Sequence, residues 1–432
     1  MQLSLNGKKM VQAEAYPASN WWTNPERWVS IGFLVAIFFA PWGSGLRYFG
    51  WVISLVALLV MRSKGQLWDP VLDRRVAWIL GGLLIFGALT TAVMKQNAFL
   101  WAKGFSLLVE FAFSIWLAAW VFRNKENGVL TWLQVWYAGT VAFLVWGFVQ
   151  FLGNPGGDAL FSNRNSLGLY ICLILPLLLG VAFRKARRPF ILKAFQFILA
   201  GIGVFLLFLS FSLSAWVAGG LQLLLSFLFL PQARRILAGL LAGLVLIAWV
   251  VVLVSPTESP VGVIKKKFAD EAFQVQTLLR PAAESSTKSR LDIARVAAQL
   301  IRERPFLGWG WGHFNKESER FIDHPDFMSM HPEAFAGNAH SMYLNLWVMG
   351  GILALTGVCL VHALGLLQLI KKYRFSHESE VTVPAIILLI SIFLYSLGGD
   401  VFGFRYKAAV LFWSVLGFAC KRDREGLGDE AS

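Results

Sequence analysis

The sequence predicts an all-α membrane protein of about twelve transmembrane helices, with a large helical loop between helices 9 and 10. Three observations carry this reading. Hydrophobic residues make up 57% of the 432 and charged ones 15%, against about a quarter charged in soluble chains. Apolar runs able to cross a hydrocarbon core, which takes roughly 20 helical residues, recur along almost the whole chain; a cleaved signal peptide would supply one run at one end. Lys and Arg collect in alternate loops between the runs, as the positive-inside rule requires.

The runs are Trp28–Ala40, Tyr48–Met61, Val76–Met94, Phe99–Phe122, Val129–Leu152, Ser166–Phe183, Ile191–Leu209, Ser214–Leu230, Ile236–Ser255, Ser341–Ile370, Pro384–Leu397 and Lys407–Cys420. The stretch Ile191–Leu230 is about twice what one helix needs and is split at the polar break Ser210–Ser214. The chain thus divides into residues 1–255 with spans 1–9, a loop over 256–340 with amphipathic helices, residues 341–420 with spans 10–12, and a tail over 421–432. Cys172, Cys359 and Cys420 all lie in apolar runs, which supports neither a disulfide framework nor a cysteine metal site.

One set of segments (the N-terminus, loops 62–75, 123–127, 184–193, 231–235 and 371–374, and the tail) holds 22 basic residues. The opposite short loops hold five: Arg47, Lys95, Arg164, Arg405 and Lys407. The basic side is read as cytoplasmic, with both termini on it. The segment Pro256–His340 then faces outward, and its Lys and Arg residues are available to an anionic ligand.

Two helices are readable in that outward segment. Val263–Leu279 places Ile264, Phe268, Val275 and Leu279 roughly on one face beside Lys265–Lys267, which suits a headgroup surface or a helix packed on the bundle. A second helix runs from about Ser289 to Arg304, with Ser289 and Asp292 at capping-box spacing and Pro305 ending it. This puts Arg290 in the first turn, where the macrodipole disfavours a cation. An anion shared between the guanidinium and the free N–H groups of the helix start would compensate; a solvated arginine is the alternative. Gly308, Gly310 and Gly312, interleaved with Trp309 and Trp311, make an aromatic turn back toward the membrane.

Two further polar clusters stand at outward helix starts. Gly337-Asn338-Ala339-His340-Ser341-Met342-Tyr343-Leu344-Asn345 puts His340 and Tyr343 on one helical face, so that neighbours can orient the imidazole toward an outer cavity. A hydrogen-bonded structural histidine is the alternative. Phe161-Ser162-Asn163-Arg164-Asn165-Ser166 offers a guanidinium and two amides. Lys103 and Glu110, seven apart on one face of span 4, motivate a transporter reading, but a structural ion pair accounts for them, and polar residues gather at the outer side rather than at mid-depth. His313, His324, His331 and His340 are spaced by eleven, seven and nine, which matches no metal-ligand pattern.

The chain resembles the O-antigen ligases, within the wider group that includes O-antigen polymerases and bacterial protein O-oligosaccharyltransferases. The resemblance rests on Asn338-Ala339-His340-Ser341, on Ser289-Arg290 followed by Arg304-Pro305-Phe306-Leu307-Gly308-Trp309-Gly310, on Asn163-Arg164-Asn165, and on the large periplasmic loop before the histidine-bearing helix. It implies transfer of a glycan from an undecaprenyl pyrophosphate carrier to lipid A–core at the periplasmic face of the bacterial inner membrane. It carries the functional roles to Arg290 and His340, and with them Arg164. The candidate site is therefore catalytic His340 and Arg290, with Arg164, Asn163, Asn165, Asn338, Ser341 and Tyr343 binding pyrophosphate or glycan. The family often has Ser-x-Ser-Arg at an inner helix start, where this chain reads Ser210-Phe211-Ser212-Leu213. Guanidinium groups suit a departing pyrophosphate and a neutral imidazole suits an attacking hydroxyl. With no nucleotide fingerprint or paired-aspartate motif outward, no nucleotide, metal cofactor or nucleic-acid partner is expected. The expected partners are the lipid-linked donor, the acceptor and membrane lipids.

Overall fold

A computed structural model describes residues 24–40, 44–65, 71–93, 98–123, 125–153, 164–182, 190–210, 212–230, 234, 286–311, 314–322, 324–325, 339–376, 379–401 and 409–422. Among them the regular structure is helical, apart from an isolated antiparallel bridge between Leu72 and Lys421. The helices are α1 (Pro25–Phe38), α2 (Ser44–Ser63), α3 (Arg74–Val93), α4 (Ala98–Phe122), α5 (Lys125–Gly153), α6 (Arg164–Ala182), α7 (Phe190–Leu209), α8 (Leu213–Phe229), α9 (Ser286–Glu303), α10 (Phe314–Ser318), α11 (Met342–Ser376), α12 (Ser379–Gly398) and α13 (Ala409–Ala419). A helix covers eleven of the twelve apolar runs. Ile236–Ser255 and the amphipathic segment Val263–Leu279 lie outside the described residues.

Four stretches within these helices are long and apolar enough to cross a membrane: Leu46–Ser63, Phe105–Phe122, Met342–Phe375 and Val381–Gly398. Shorter apolar helices are Asn165–Gly180, Ala194–Phe208, Leu213–Phe229 and Ala409–Ala419. The break between α7 and α8 falls where the polar pair Ser210 and Ser212 interrupts the run. Ser210 Oγ donates to Leu207 O at 2.7 Å and Trp216 Nε1 donates to the same carbonyl at 3.0 Å. The Leu207 carbonyl, one of those left over at the end of α7, is thus satisfied by side chains. Small residues let helices approach where lipid supplies no hydrophobic drive: Gly32 and Gly50 bring α1 and α2 together, and Ser54 Oγ donates to Val29 O at 3.0 Å across that contact.

Hydrogen bonds sort the described polar segments into two ends of the bundle. At one end, Asp73 N donates to Cys420 O at 2.9 Å, Arg422 N to Val71 O at 2.8 Å, and Arg123 pairs with Glu26 at 2.8 Å while stacking on Trp120. These segments are from the basic set of the sequence partition. At the other end the starts of α6, α8 and α11 meet the end of α12, as described below. Glu110 of α4 forms its ion pair with Arg47 of α2, at 3.0 Å. The sequence paired it with Lys103, whose side chain is outside the described residues; Arg47, from a separate helix, is mostly buried and removes the need for a same-helix partner.

Candidate functional site

The chain enters α11 through Ala339-His340-Ser341, and this turn is pinned on both sides of the histidine. Ala339 N donates to Asn345 Oδ1 at 3.0 Å, and Asn345 Nδ2 donates to Asp400 Oδ2 at 2.6 Å. On the other side Ser341 Oγ donates to Ser396 O at 3.1 Å, and Met342 N to Gly399 O at 3.1 Å. Ala339, Ser341, Asn345 and Asp400 are buried, and His340 between them is half-buried. Its φ is +50°. Histidine is among the side chains that tolerate this left-handed region, and such strain collects at functional turns. A fully buried carboxylate is costly unless hydrogen-bonded, so the Asp400–Asn345 bond both satisfies the acid and fixes the turn that carries His340.

The last turn of α12 gathers the other helix starts. Tyr395 Oη donates to Asn165 O at 3.1 Å at the start of α6, and Ser214 Oγ at the start of α8 donates to Gly398 O at 2.8 Å. Residues 395–400 therefore bring together the Asn165 segment, the turn that starts α8 at Leu213, and the His340 turn. Asn163 and Asn338 lie outside the described residues; Arg164 is the first residue of α6, with its backbone alone described. The hydroxyl of Tyr343 donates to Phe393 O at 2.9 Å, with the two rings 5.4 Å apart, so Tyr343 and Ser341 both use their hydroxyls to hold α12.

Arg290 is on α9, which packs Ile293, Val296, Ala297 and Leu300 against Trp309, Phe314, Phe321, Ala339 and Val348 in a cluster separate from the main core. The three- and four-residue spacing is that of a one-faced amphipathic helix. Because Ala339 belongs to this cluster, α9 and the His340 turn are held against each other. The helix begins at Ser286, so Ser289 is a buried interior residue rather than its cap, and Arg290 stands in the second turn. The expected placement of Arg290 in the first turn is therefore corrected; the helix takes Ser286, Thr287 and Lys288 because the buried face extends back to Ser289. Asp292, fully buried on that face, is paired with Lys288 at 2.7 Å and Arg295 at 3.5 Å. Arg290 itself is half-buried one turn before Ile293 and Ala294.

The motif after α9 proves to be an interlock. α11 is broken at Gly351, at φ +67° and ψ −174°. Into the break fit residues 305–310: Trp309 N and Gly310 N donate to Val348 O and Met349 O at 2.7 and 2.8 Å, while Ile352 N and Trp347 Nε1 donate to Pro305 O at 2.9 and 3.0 Å. The orphan groups of the broken helix are thereby satisfied by the returning loop. Gly308, also at φ +67°, faces the Gly351 backbone so closely that neither position has room for a Cβ. Trp309 is fixed in turn by its Nε1 bond to Leu300 O at 2.8 Å and by the guanidiniums of Arg304 and Arg320, 4.0 and 4.3 Å from its ring centroid.

Asp400 went unnoticed in the sequence, although an acidic residue directly after an apolar run and a Gly398-Gly399 pair is the signal that marks it. Among the described residues no group of three or more His, Cys, Asp or Glu is placed to hold a metal. The arrangement offers a held imidazole and, on a helix packed against its turn, a guanidinium: groups suited to orienting a hydroxyl and to stabilising an anion. A comparison with curated proteins gave no match. Residues 197–359 match a family model described as O-antigen ligase. The matched stretch runs from α7 past the break in α11, taking in Arg290, the interlock and His340 and leaving out Asn163–Asn165 and Asp400.

Proposed function

From that match over residues 197–359, we propose that the chain is an O-antigen ligase that transfers O-antigen polysaccharide from undecaprenyl pyrophosphate to lipid A–core at the periplasmic face of the bacterial inner membrane. The observation that carries this reading is the packing of α9, with Arg290, onto the turn that holds His340. The acceptor hydroxyl oxygen attacks the anomeric carbon and its proton passes to His340. The bond to the pyrophosphate oxygen breaks with inversion, and undecaprenyl pyrophosphate leaves with its new charge met by Arg290 and Arg164. Asn163, Asn165 and Asn338 bind glycan or pyrophosphate; Ser341 and Tyr343 line the same turn while fastening it to α12. The reaction needs no metal or nucleotide. The 22-to-5 partition of short-loop basic residues supports twelve spans with both termini in the cytoplasm and the site outside.

Deletion tests the assignment. Loss of long-chain polysaccharide from lipopolysaccharide, with intact lipid-linked chains accumulating, is expected. Lipopolysaccharide bearing single repeat units would identify a polymerase instead, and unchanged lipopolysaccharide with an unglycosylated protein would identify a protein O-oligosaccharyltransferase.

Arg290→Lys is expected to lose most transfer while the protein stays folded in the membrane, because an ammonium cannot reproduce the forked contacts of a guanidinium with two phosphate oxygens. Transfer measured with the purified variant and lipid-linked donor checks this. Near-wild-type transfer would leave Arg290 with no role beyond its charge.

A further inference from the structure

The break in α11 also sets a height. From Ile352 to Ile370 the second half of α11 runs for 19 residues without a charged side chain, which at 1.5 Å per residue is about 28 Å and matches a hydrocarbon core of roughly 30 Å. Lys371, Lys372 and Arg374 follow immediately, marking one boundary. Gly351 therefore lies at the other. The loop docked into the break is thus held at the lipid–water boundary, and Phe306 and Leu307, its two apolar residues, are 68% and 45% exposed. Two neighbouring apolar side chains left uncovered on a loop whose backbone is fixed by four hydrogen bonds are not loosely packed core. Arg302 and Arg304, also exposed, precede them by a few residues, and Arg304 stays beside them by stacking on Trp309.

We propose that residues 302–307 form a bilayer anchor, in which Phe306 and Leu307 enter the acyl boundary of the outer leaflet and Arg302 and Arg304 meet phospholipid phosphates. The occupant is the lipid surface: apolar tips beside guanidiniums, at membrane depth, match acyl chain beside phosphate. Since Arg304 follows α9 directly, the anchor ties the helix bearing Arg290 to the membrane surface.

The test uses the full chain in vesicles of zwitterionic and anionic phospholipid, with an environment-sensitive fluorophore on Phe306→Cys. The labelled variants carry Cys359→Ser, because Cys359 is half-buried whereas Cys172 and Cys420 are buried, and the Cys359→Ser protein alone is the labelling blank. Lys316→Cys, at an exposed site on α10, is the aqueous control. The expected result is blue-shifted emission at position 306, quenched strongly by bromines near the headgroup and weakly by bromines near the chain end, with water-like emission at 316. Water-like emission at 306 would overturn the anchor. So would shielded emission that no brominated lipid quenches, which would mean that protein covers the site. Adding Arg302→Glu should weaken shallow quenching in anionic vesicles; unchanged quenching would remove the phosphate contact. The readout needs neither donor nor acceptor, so its failure is distinct from failure of the transfer reading.

Discussion

His340→Ala is expected to lower transfer by about 10²–10⁴-fold, the range typical of a lost general base, with lipid-linked donor still bound. The backbone complicates that variant, because His340 has φ +50° and alanine in the left-handed region costs roughly 1–2 kcal/mol. His340→Asn, which tolerates the conformation, separates the two effects. If the imidazole takes the hydroxyl proton, the Asn variant should melt near the wild-type temperature, and both Asn and Gln variants should lose transfer as Ala does. If it only positions the acceptor, Gln should keep far more activity than Ala. Equal transfer by wild-type, Gln and Ala proteins at matched amounts would remove His340 from the site.

Gly351→Ala should be the most damaging small substitution at the His340 end of the bundle. A Cβ there would overlap the Phe306 carbonyl, and Gly351 holds φ +67°, so both the left-handed strain and the overlap oppose it. Gly308→Ala should behave alike, since its Cβ would stand 2.6 Å from Gly351 N and Met349 O. Backbone on both sides leaves no flexible side chain to give way, and a loss of about 3 kcal/mol or more follows from strain of 1–3 kcal/mol plus lost hydrogen bonds of roughly 1 kcal/mol each. Gly82→Ala, where a Cβ meets nothing within 4 Å, is the control and should be neutral or slightly stabilising. Thermal melting in detergent checks all three; a Gly351→Ala protein that melts with the control would mean the loop does not occupy the break.

Much of the fold was legible because helix length and apolar continuity are local properties. The split at Ser210–Ser214 and the helices over eleven runs follow from them. The resemblance to O-antigen ligases rested on motifs of the same kind, and the match over 197–359 supports it. What escaped was tertiary. The break in α11 sits within the uninterrupted apolar run Ser341–Ile370, where Gly350-Gly351 looks like ordinary small-residue packing until the 305–310 loop is seen to fill it. The start of α9 lies three residues before Ser289, because the buried face reaches back to that serine, which capping chemistry alone does not reveal. Arg47 and Glu110 are 63 positions apart in the sequence and Asn345 and Asp400 are 55 apart; no local pattern links them. The Arg-Pro-Phe-Leu-Gly-Trp-Gly motif supported the family resemblance while its geometric purpose, closing a broken helix, stayed hidden.

The partnership of α4 with α13 sets an order of events in synthesis. Phe111 meets Trp413 with ring centroids 5.9 Å apart and Phe122 meets Phe418 at 5.5 Å, yet nearly 300 residues separate the two helices along the chain. At ribosomal speeds of about 5–20 residues per second, α4 waits roughly 15–60 s in the bilayer for its neighbour. Its carboxylate does not wait. Glu110 finds Arg47 on a helix made earlier, so the charge is neutralised on arrival while the aromatic face stays in lipid. The strand-like pairing of Val71–Asp73 with Cys420–Arg422 forms after that, once residues 420–422 have left the ribosome. A protein truncated before α13 would therefore insert with its charges matched and its bundle left open.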